Sequence, residues 1–173
     1  ARVENAGEAT VRAILAIARR EGTGVPLYTV PDEAERCPLL DAPDPLVRPM
    51  RVGMLSTAAP LVVLDGHLEV RILLDADGSG AMHAGLAVLE GDPETRVAPH
   101  VHDASAELLF IEDGEGTMHL GERTIDIHPG VVVYVPEGVL HSFEPTGRRP
   151  LVALQVYAPS GPEQRFRGLA AAH

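Results

Sequence analysis

Turn-forming residues interrupt this chain at short and regular intervals between residues 61 and 158. Breaks such as Asp65-Gly66 and Asp113-Gly114 leave short apolar segments between them, with turn signals about every 8–12 residues. Segments rich in Val, Leu and Ile at this length are typical of strands. The predicted strands cover residues 61–64, 67–74, 81–90, 96–102, 107–112, 116–120, 123–128, 131–135, 141–144 and 151–158. Their number and spacing predict an all-β fold, either a sandwich or a barrel.

The segments on either side of this region follow other patterns. Residues 8–20 carry apolar side chains at helical spacing, which predicts an amphipathic helix. Residues 25–60 hold seven prolines, so they cannot run as a helix or a central strand. We expect an extended arm there, with one edge strand near residues 50–55. The tail at 161–173 is predicted to be a loop with at most a short helical turn.

The chain is acidic and contains no lysine. Its 25 acidic residues outnumber 14 basic ones, all arginine, for a net charge of −11. This balance disfavours binding to nucleic-acid backbones and anionic membranes. Lysine Schiff-base chemistry is excluded, and the single cysteine, Cys37, excludes an internal disulfide and a cysteine-based metal site. No apolar run approaches the ~20 residues that span a bilayer. We therefore expect a soluble protein, with the cytoplasm favoured and secretion left open.

Three histidines and one glutamate are spaced in a way that suits a metal site. His100 and His102 are two positions apart, so on a strand their side chains would share a face, roughly 6.6 Å apart. Glu107 follows a predicted hairpin loop at 103–106, which would place it opposite His102 on the neighbouring strand. His141 starts a later strand, and a barrel can bring it to the same interior. Three imidazoles and one carboxylate are a ligand set for a divalent transition metal.

Glycines and a proline flank these ligands at fixed spacings. A His-x-His pair alone is a weak signal in a chain with eight histidines. Here Gly114 follows Glu107 after six intervening residues, and residues 130–141 have the form Gly-x5-Pro-x-Gly-x2-His. The joint pattern is much more specific than either part, because the two spacing sets are independent.

The first segment resembles the first conserved motif of the cupin superfamily, whose members are small β-barrels of the jelly-roll type. That motif reads Gly-x5-His-x-His-x3/4-Glu-x6-Gly. The chain matches it at His100, His102, Glu107 and Gly114, and has Glu94 in place of the opening glycine.

The second segment is similar to the second cupin motif, Gly-x5-Pro-x-Gly-x2-His-x3-Asn. The chain matches it at Gly130, Pro136, Gly138 and His141, and has Pro145 in place of the final asparagine. The family's metal ligands are the three histidines and the glutamate of these motifs. The resemblance therefore implies that the complete ligand set is present, and one pair of motifs implies one barrel.

The resemblance covers about residues 80–158 and implies a domain plan. We expect a cupin jelly-roll β-barrel at 49–160, preceded by the N-terminal helix and Pro-rich arm at 1–48 and followed by the tail at 161–173. Related barrels often dimerise, and an arm that crosses to a partner would protect edge strands. We therefore expect a homodimer.

Five further side chains are candidates for a substrate pocket. Gln155 and Tyr157 share a strand face by alternation, and Phe143 has the same parity as His141. His119 and Tyr134 lie on predicted strands and are the remaining candidates. All five could instead be packing or surface residues, so the pocket is a weaker prediction than the metal site.

The ligand set suits Mn, Fe(II), Ni, Co, Cu or Zn, and leaves two positions of an octahedral site open. Three roles are compatible with such a site. The first is an enzyme, a metal-dependent oxygenase, isomerase or lyase acting on a small oxygen-rich or aromatic metabolite. The second is a non-catalytic protein that binds or senses a sugar or other metabolite. The third is a metal that only stabilises the barrel. Fold alone does not choose among them.

Overall fold

Ten antiparallel strands form two sheets in residues 52–171, the part of the chain that the computed structural model describes. The strands are β1 (Leu61–Val63), β2 (Leu68–Leu74), β3 (Gly85–Gly91), β4 (Val97–His100), β5 (Ala106–Asp113), β6 (Gly116–Leu120), β7 (Arg123–Ile127), β8 (Val132–Val135), β9 (His141–Pro145) and β10 (Leu151–Ala158). A 3-10 turn (Leu64–Gly66) follows β1, and the helix α1 (Gln164–Ala171) follows β10. The predicted β fold is confirmed, and each of the ten strands predicted between residues 61 and 158 has an observed counterpart.

The strands are divided between a six-stranded and a four-stranded sheet. The first has the order β1-β2-β3-β10-β5-β8, and the second has the order β4-β9-β6-β7. The chain crosses between the sheets six times, at the β3–β4, β4–β5, β5–β6, β7–β8, β8–β9 and β9–β10 connections. The prediction of a closed barrel is corrected, because the hydrogen-bond ladder does not continue from one sheet into the other among the described strands.

Alternation along the strands places apolar side chains from both sheets in one shared core. Leu109 and Ile111 of β5 are 5% and 0% exposed, whereas Phe110 between them points outward and is half-buried. The four-stranded sheet contributes Met118 and Phe143 to the same core cluster. Because the inner faces of the two sheets meet in this way, any polar side chain on those faces is removed from water.

The glycines of the two sequence motifs stand where the backbone adopts positive φ angles. Gly114, Gly130 and Gly138 have φ values of 86°, 90° and 70°. Side chains are disfavoured in this left-handed region because Cβ crowds the following carbonyl. The spacing that the motifs share therefore reflects the turns that end β5, precede β8 and precede β9.

Two predictions near the ends of the described chain need comment. Residues 52–55 are not a strand, because Met54 begins a turn in which its carbonyl accepts the N–H groups of Thr57 and Ala58. The predicted helix at 8–20 and the Pro-rich arm up to residue 51 lie outside the described residues.

The tail, predicted as a loop with at most a short helical turn, contains α1, a helix of eight residues. Its first turn forms after Pro162, a residue suited to a helix start, and the Gly161 N–H donates to the Glu163 carboxylate at 2.7 Å. Phe166 is 3% exposed and belongs to the core cluster. The prediction was wrong because the helix depends on burying this aromatic ring against the sheets. None of the helices in residues 52–171 is long and apolar enough to cross a membrane.

Side-chain hydrogen bonds tie α1 to the loop after β2. The buried Asp75 carboxylate accepts hydrogen bonds from Arg167 at 2.7 Å and Gln164 at 3.0 Å. Burial raises the pKa of Asp75, but the hydrogen bonds from Arg167, Gln164 and the backbone amides of Ser79 and Gly78 outweigh burial and lower the pKa to about 2. Asp75 is therefore a charged anchor for the helix.

Candidate metal centre

His100 and His141 lie side by side in the four-stranded sheet. His100 ends β4, His141 begins β9, and the two residues are register partners. Their ring centroids are 4.1 Å apart. Directly opposed residues on antiparallel strands point to the same face, so the pairing of β4 with β9 fixes both imidazoles at one place.

His102 joins them from a corner at which the chain passes from one sheet to the other. The predicted hairpin between His102 and Glu107 is therefore wrong. Residues 101–105 lead from β4 in one sheet to β5 in the other. The His102 carbonyl accepts the N–H of Gly138 at 2.9 Å, which ties the two corners together. A hairpin and a corner both need a short polar segment, so the loop sequence does not distinguish them. The His102 ring still lies 4.9 Å from the His100 ring, centroid to centroid.

Glu107 faces the three histidines from the six-stranded sheet. Its Oε2 atom lies 3.1 Å from Nε2 of His102 and 3.2 Å from Nε2 of His141. One ligand atom from each of the four residues lies within 4.8 Å of all the others. His102, Glu107 and His141 are buried, and His100 is half-buried. The structure thus brings together the whole predicted ligand set.

Backbone carbonyls determine which nitrogen of two imidazoles is free. Nδ1 of His100 lies 2.9 Å from the Ala98 carbonyl, and Nδ1 of His141 lies 2.9 Å from the Val139 carbonyl. A carbonyl only accepts, so both Nδ1 atoms carry hydrogen, and in the neutral rings Nε2 is an unprotonated acceptor. Nε2 of His141 then faces Oε2 of Glu107, which is also an acceptor. Two buried acceptors at 3.2 Å require a proton or a cation between them.

The pKa values of the cluster follow from burial and this short contact. Burial lowers the pKa of His141, but the hydrogen bond to Glu107 outweighs it and raises the pKa above its ordinary value. For Glu107, burial raises the pKa, and the hydrogen bonds from His102, His141 and Gln155 outweigh burial and lower it well below its usual range. Burial, followed by the nearby guanidinium of Arg165, lowers the pKa of His100 to about 4.

Gln155 orients the carboxylate from the neighbouring strand. Its Nε2 donates to Oε1 of Glu107 at 2.8 Å, which leaves Oε2 directed at the histidines. Gln155 is 5% exposed and lies on β10, next to β5. Hydrogen bonds of this kind to a metal-binding carboxylate fix its orientation and tune the site.

The donor set fits a divalent metal ion. Metal–nitrogen and metal–carboxylate bonds of roughly 2.0–2.2 Å put opposite ligand atoms about 4 Å apart, close to the 4.8 Å limit that encloses these four ligand atoms. Nitrogen and carboxylate donors with one negative charge suit divalent transition metals. A cation here would also remove the unfavourable contact between two acceptors, Nε2 of His141 and Oε2 of Glu107. The four residues therefore form a candidate site for a divalent metal.

A cavity of about 280 Å³ adjoins the ligands, and His100, Glu107 and His141 form part of its wall. Most of the remaining wall is apolar and comes from both sheets. It includes Leu68, Leu89, Leu109, Met118, Phe143 and Leu151. The volume is at the lower end of the ~300–1,000 Å³ typical of small-molecule pockets. The ligand set thus lies at the polar part of an otherwise hydrophobic cavity.

The five predicted pocket residues occupy different places. Phe143 and Gln155 line the cavity. Tyr157 is fully buried and packs edge-on against the His102 ring, with centroids 5.0 Å apart, but does not line the cavity. Tyr134 is 62% exposed on the outer face of β8. His119 has the opposite parity to the buried Met118 and bonds to Thr124 at 3.2 Å, so neither it nor Tyr134 reaches the cavity.

Sequence reasoning missed the cavity residues that α1 supplies. Arg165, Phe166 and Leu169 all line the cavity, but they belong to the segment that was predicted as a tail. Two signals could have identified the helix. Pro162 is suited to a helix start, and Phe166 and Leu169 have the i, i+3 spacing of an apolar helix face.

Comparison with known proteins assigns the chain to a family. Residues 87–157 match the model of the family described as cupin domain. The chain is 30% identical over 91 residues to an oxalate-binding protein from Thermotoga maritima, and the match covers 53% of this chain and 75% of that relative. The chain belongs to the cupin superfamily.

Solved structures with the same fold support this assignment. A crystal structure described as a predicted oxalate decarboxylase from Thermotoga maritima has a TM-score of 0.57 and 26% identity, over 62% of this chain and 98% of that chain. Oxalate decarboxylase from Bacillus subtilis, in a structure concerned with its Mn(II) centres, has a TM-score of 0.51 and 24% identity, over 55% of this chain and 26% of that chain. The similarity to the Bacillus subtilis enzyme, at 24% identity, shows a shared fold and nothing more.

Proposed function

We propose that this protein is a metal-dependent cupin that acts on a small oxygen-rich or aromatic metabolite. One divalent transition metal is held by His100, His102, Glu107 and His141. The observation that carries the proposal is that three of these ligands line the cavity, so that a molecule in the cavity lies next to the metal site. The metal is Mn, Fe(II), Ni, Co or Zn, since imidazole and carboxylate ligands suit all of them.

The chain's own residues position the ligands and set the polarity of their surroundings. When bound, a divalent metal polarises a substrate oxygen and lowers the pKa of bound water. The carbonyls of Ala98 and Val139 hold hydrogen on Nδ1 of two histidines and leave Nε2 free. Gln155 holds Oε1 of Glu107. The apolar wall lowers the local dielectric constant, which strengthens electrostatic interactions inside the cavity.

The composition of the wall limits which groups can act as an acid or a base in the reaction. Among the described residues that line the cavity, the only Asp, Glu and His side chains are His100, Glu107 and His141. No separate carboxylate or imidazole of this lining is available as a general base. The reaction, an oxygenation, isomerisation or lyase reaction, therefore depends on the metal rather than on an independent acid–base residue.

A lining without an independent acid or base is also compatible with a second candidate function, which is binding of a small molecule without catalysis. The relative from Thermotoga maritima is named an oxalate-binding protein, and the similar structure at 26% identity is described as a predicted oxalate decarboxylase. One name describes binding and the other describes a reaction. Oxalate is therefore the first compound with which to distinguish the two candidates.

Metal analysis and oxalate titration test the proposal. Elemental analysis of the protein loaded in turn with each of the five metals is expected to find one metal ion per chain, and the His102→Ala variant is expected to lose it. Consumption of oxalate or O2 by the loaded protein supports the enzyme, and saturable binding without consumption supports the second candidate. A wild-type protein that retains none of the metals contradicts both. The homodimer remains a prediction, for which the mass in solution is the measurement.

A further inference from the structure

Arg165 is the only Arg or Lys among the described residues that line the cavity. It lies in the first turns of α1, and its guanidinium carbon is 5.2 Å from the centroid of the Phe166 ring. Arg165 therefore shares one cavity with three of the candidate metal ligands, His100, Glu107 and His141.

No described side chain of the protein satisfies this guanidinium. The Nε atom of Arg165 is buried and has no hydrogen-bond partner. None of the salt bridges between described residues includes Arg165, whereas Arg167 on the same helix is paired with Asp75 at 2.7 Å. A buried, charged donor without a partner is unfavourable. The two terminal nitrogens of a planar guanidinium present parallel donors, the geometry that matches a carboxylate, and Arg165 lines the cavity.

The remainder of the cavity adds two requirements for the ligand. Leu89, Leu109, Met118 and Phe143 make the wall apolar, so the bound molecule needs an apolar part to fill the space. The negative charges of Glu107 and of the buried Glu163, two residues before Arg165, do not together neutralise a divalent cation and a guanidinium, so the occupied site attracts an anion. The chain as a whole carries a net charge of −11, which makes this positive interior a local feature.

We propose that the cavity takes an organic monocarboxylic acid with an apolar body, whose carboxylate pairs with Arg165 and whose body packs against the hydrophobic wall. This inference rests on the proposed metal-dependent function and names its substrate class. Arg165 is then a specificity-determining residue, contributed by the helix that follows the family's strands. Oxalate lacks the apolar body and satisfies only half of these requirements.

Calorimetric titration with three probes tests the inference on the metal-loaded protein. Benzoate carries both features, benzyl alcohol carries the ring without the charge, and acetate carries the charge without the ring. We expect benzoate to bind more tightly than either of the others. Benzyl alcohol or acetate binding as tightly as benzoate, or no benzoate binding by the wild type, would overturn the proposal.

Substitution of Arg165 isolates its contribution. Arg165→Gln is expected to bind benzoate roughly 10- to 100-fold more weakly and benzyl alcohol unchanged, because the ring contacts remain. Misfolding would weaken both probes equally, so the ratio of the two affinities is the measurement. Arg165→Lys should restore part of the benzoate affinity. Arg148→Gln removes the same charge from an exposed position and should leave the ratio at the wild-type value.

Titrations after metal removal with a chelator separate this inference from the proposed function. The benzoate preference that depends on Arg165 is expected to persist in the metal-free protein, although benzoate binds more weakly there. The wild type could prove to retain no metal and still prefer benzoate to benzyl alcohol. If Arg165→Gln then abolished that preference, the result would support the inference and contradict the proposed function. A metal-loaded protein in which Arg165→Gln leaves the benzoate preference unchanged would contradict the inference alone.

Discussion

The metal centre and the helix α1 border the same cavity, but different interactions hold them in place. Backbone pairing of β4 with β9 and of β5 with β10 positions His100, His141 and Glu107. By contrast, α1 is held by side chains, chiefly the buried Phe166 ring and the hydrogen bonds to Asp75. Substitutions at the metal centre should therefore change metal affinity with the fold intact. Substitutions that release α1 should change stability and leave the metal in place.

The largest effect is expected from the carboxylate at the centre of the ligand set. Glu107→Gln keeps the shape of the side chain but removes the charge that attracts the cation, so metal affinity should fall by more than roughly 100-fold. A competition titration with a coloured chelator measures the change. Glu112→Gln lies on the same strand with its side chain exposed, and should retain wild-type affinity. Tight metal binding by Glu107→Gln would contradict the assigned ligand set.

A smaller effect, on stability, is expected where β6 approaches β9. A Cβ atom on Gly116 would lie 2.2 Å from the Phe143 ring and 2.7 Å from the Glu144 carbonyl, so Gly116→Ala should destabilise the protein by about 3 kcal/mol. Gly168 in α1 has no atoms within 4 Å of the equivalent position, and Gly168→Ala should leave stability unchanged or raise it by up to about 1 kcal/mol. Urea unfolding of both variants gives the comparison, and equal stabilities would contradict it.

Two glutamines offer a more direct test of the difference between the two regions. Gln155→Leu removes the hydrogen bond to Glu107, and we expect metal affinity to fall about tenfold. Gln164→Leu removes a hydrogen bond to Asp75 in the α1 region, and should lower the melting temperature without changing metal affinity. Chelator competition and thermal melting of both variants are the measurements. Loss of metal affinity in Gln164→Leu would show that the two regions are coupled.

The sequence was sufficient to predict which four side chains come together, although the predicted route of the chain between His102 and Glu107 was wrong. All four carry motif spacings, and the motif glycines, such as Gly114 and Gly138, have the positive φ angles that make glycine necessary. Strand lengths followed from turn residues and alternation, which are local properties. Whether residues 101–105 turn back as a hairpin or cross to the other sheet depends on distant pairing with β9 and β10, and no local residue encodes it.

The pocket was harder to predict for a similar reason. Parity along a strand gives two faces but does not say which face is buried, and Tyr134 proved to lie on the exposed one. Arg165 could not be assigned from its own neighbourhood, because the cavity wall that it joins is formed by strands far away in sequence. Local patterns therefore predicted the cluster of four side chains well and the lining of the cavity poorly.

The smallest effect we predict concerns the charge that anchors α1, and it depends on pH. The pKa of Asp75 is about 2 in the folded protein, below its ordinary value of 3.8. The carboxylate therefore stabilises the fold above about pH 4, and this contribution is lost as the pH falls from about 4 towards 2. Asp75→Asn keeps an oxygen acceptor but removes the charge, and should cost about 1 kcal/mol at neutral pH, because the partner Arg167 is half-exposed.

The difference in melting temperature between the wild type and Asp75→Asn should therefore narrow on acidification from about pH 6 to about pH 3. Asp77→Asn removes the same charge from an exposed position in the same loop, and should melt like the wild type throughout. A difference that is independent of pH would mean that the hydrogen-bond geometry, rather than the charge of Asp75, holds α1. Retention of metal by Asp75→Asn is expected in either case, because Asp75 has no hydrogen bond to a metal ligand.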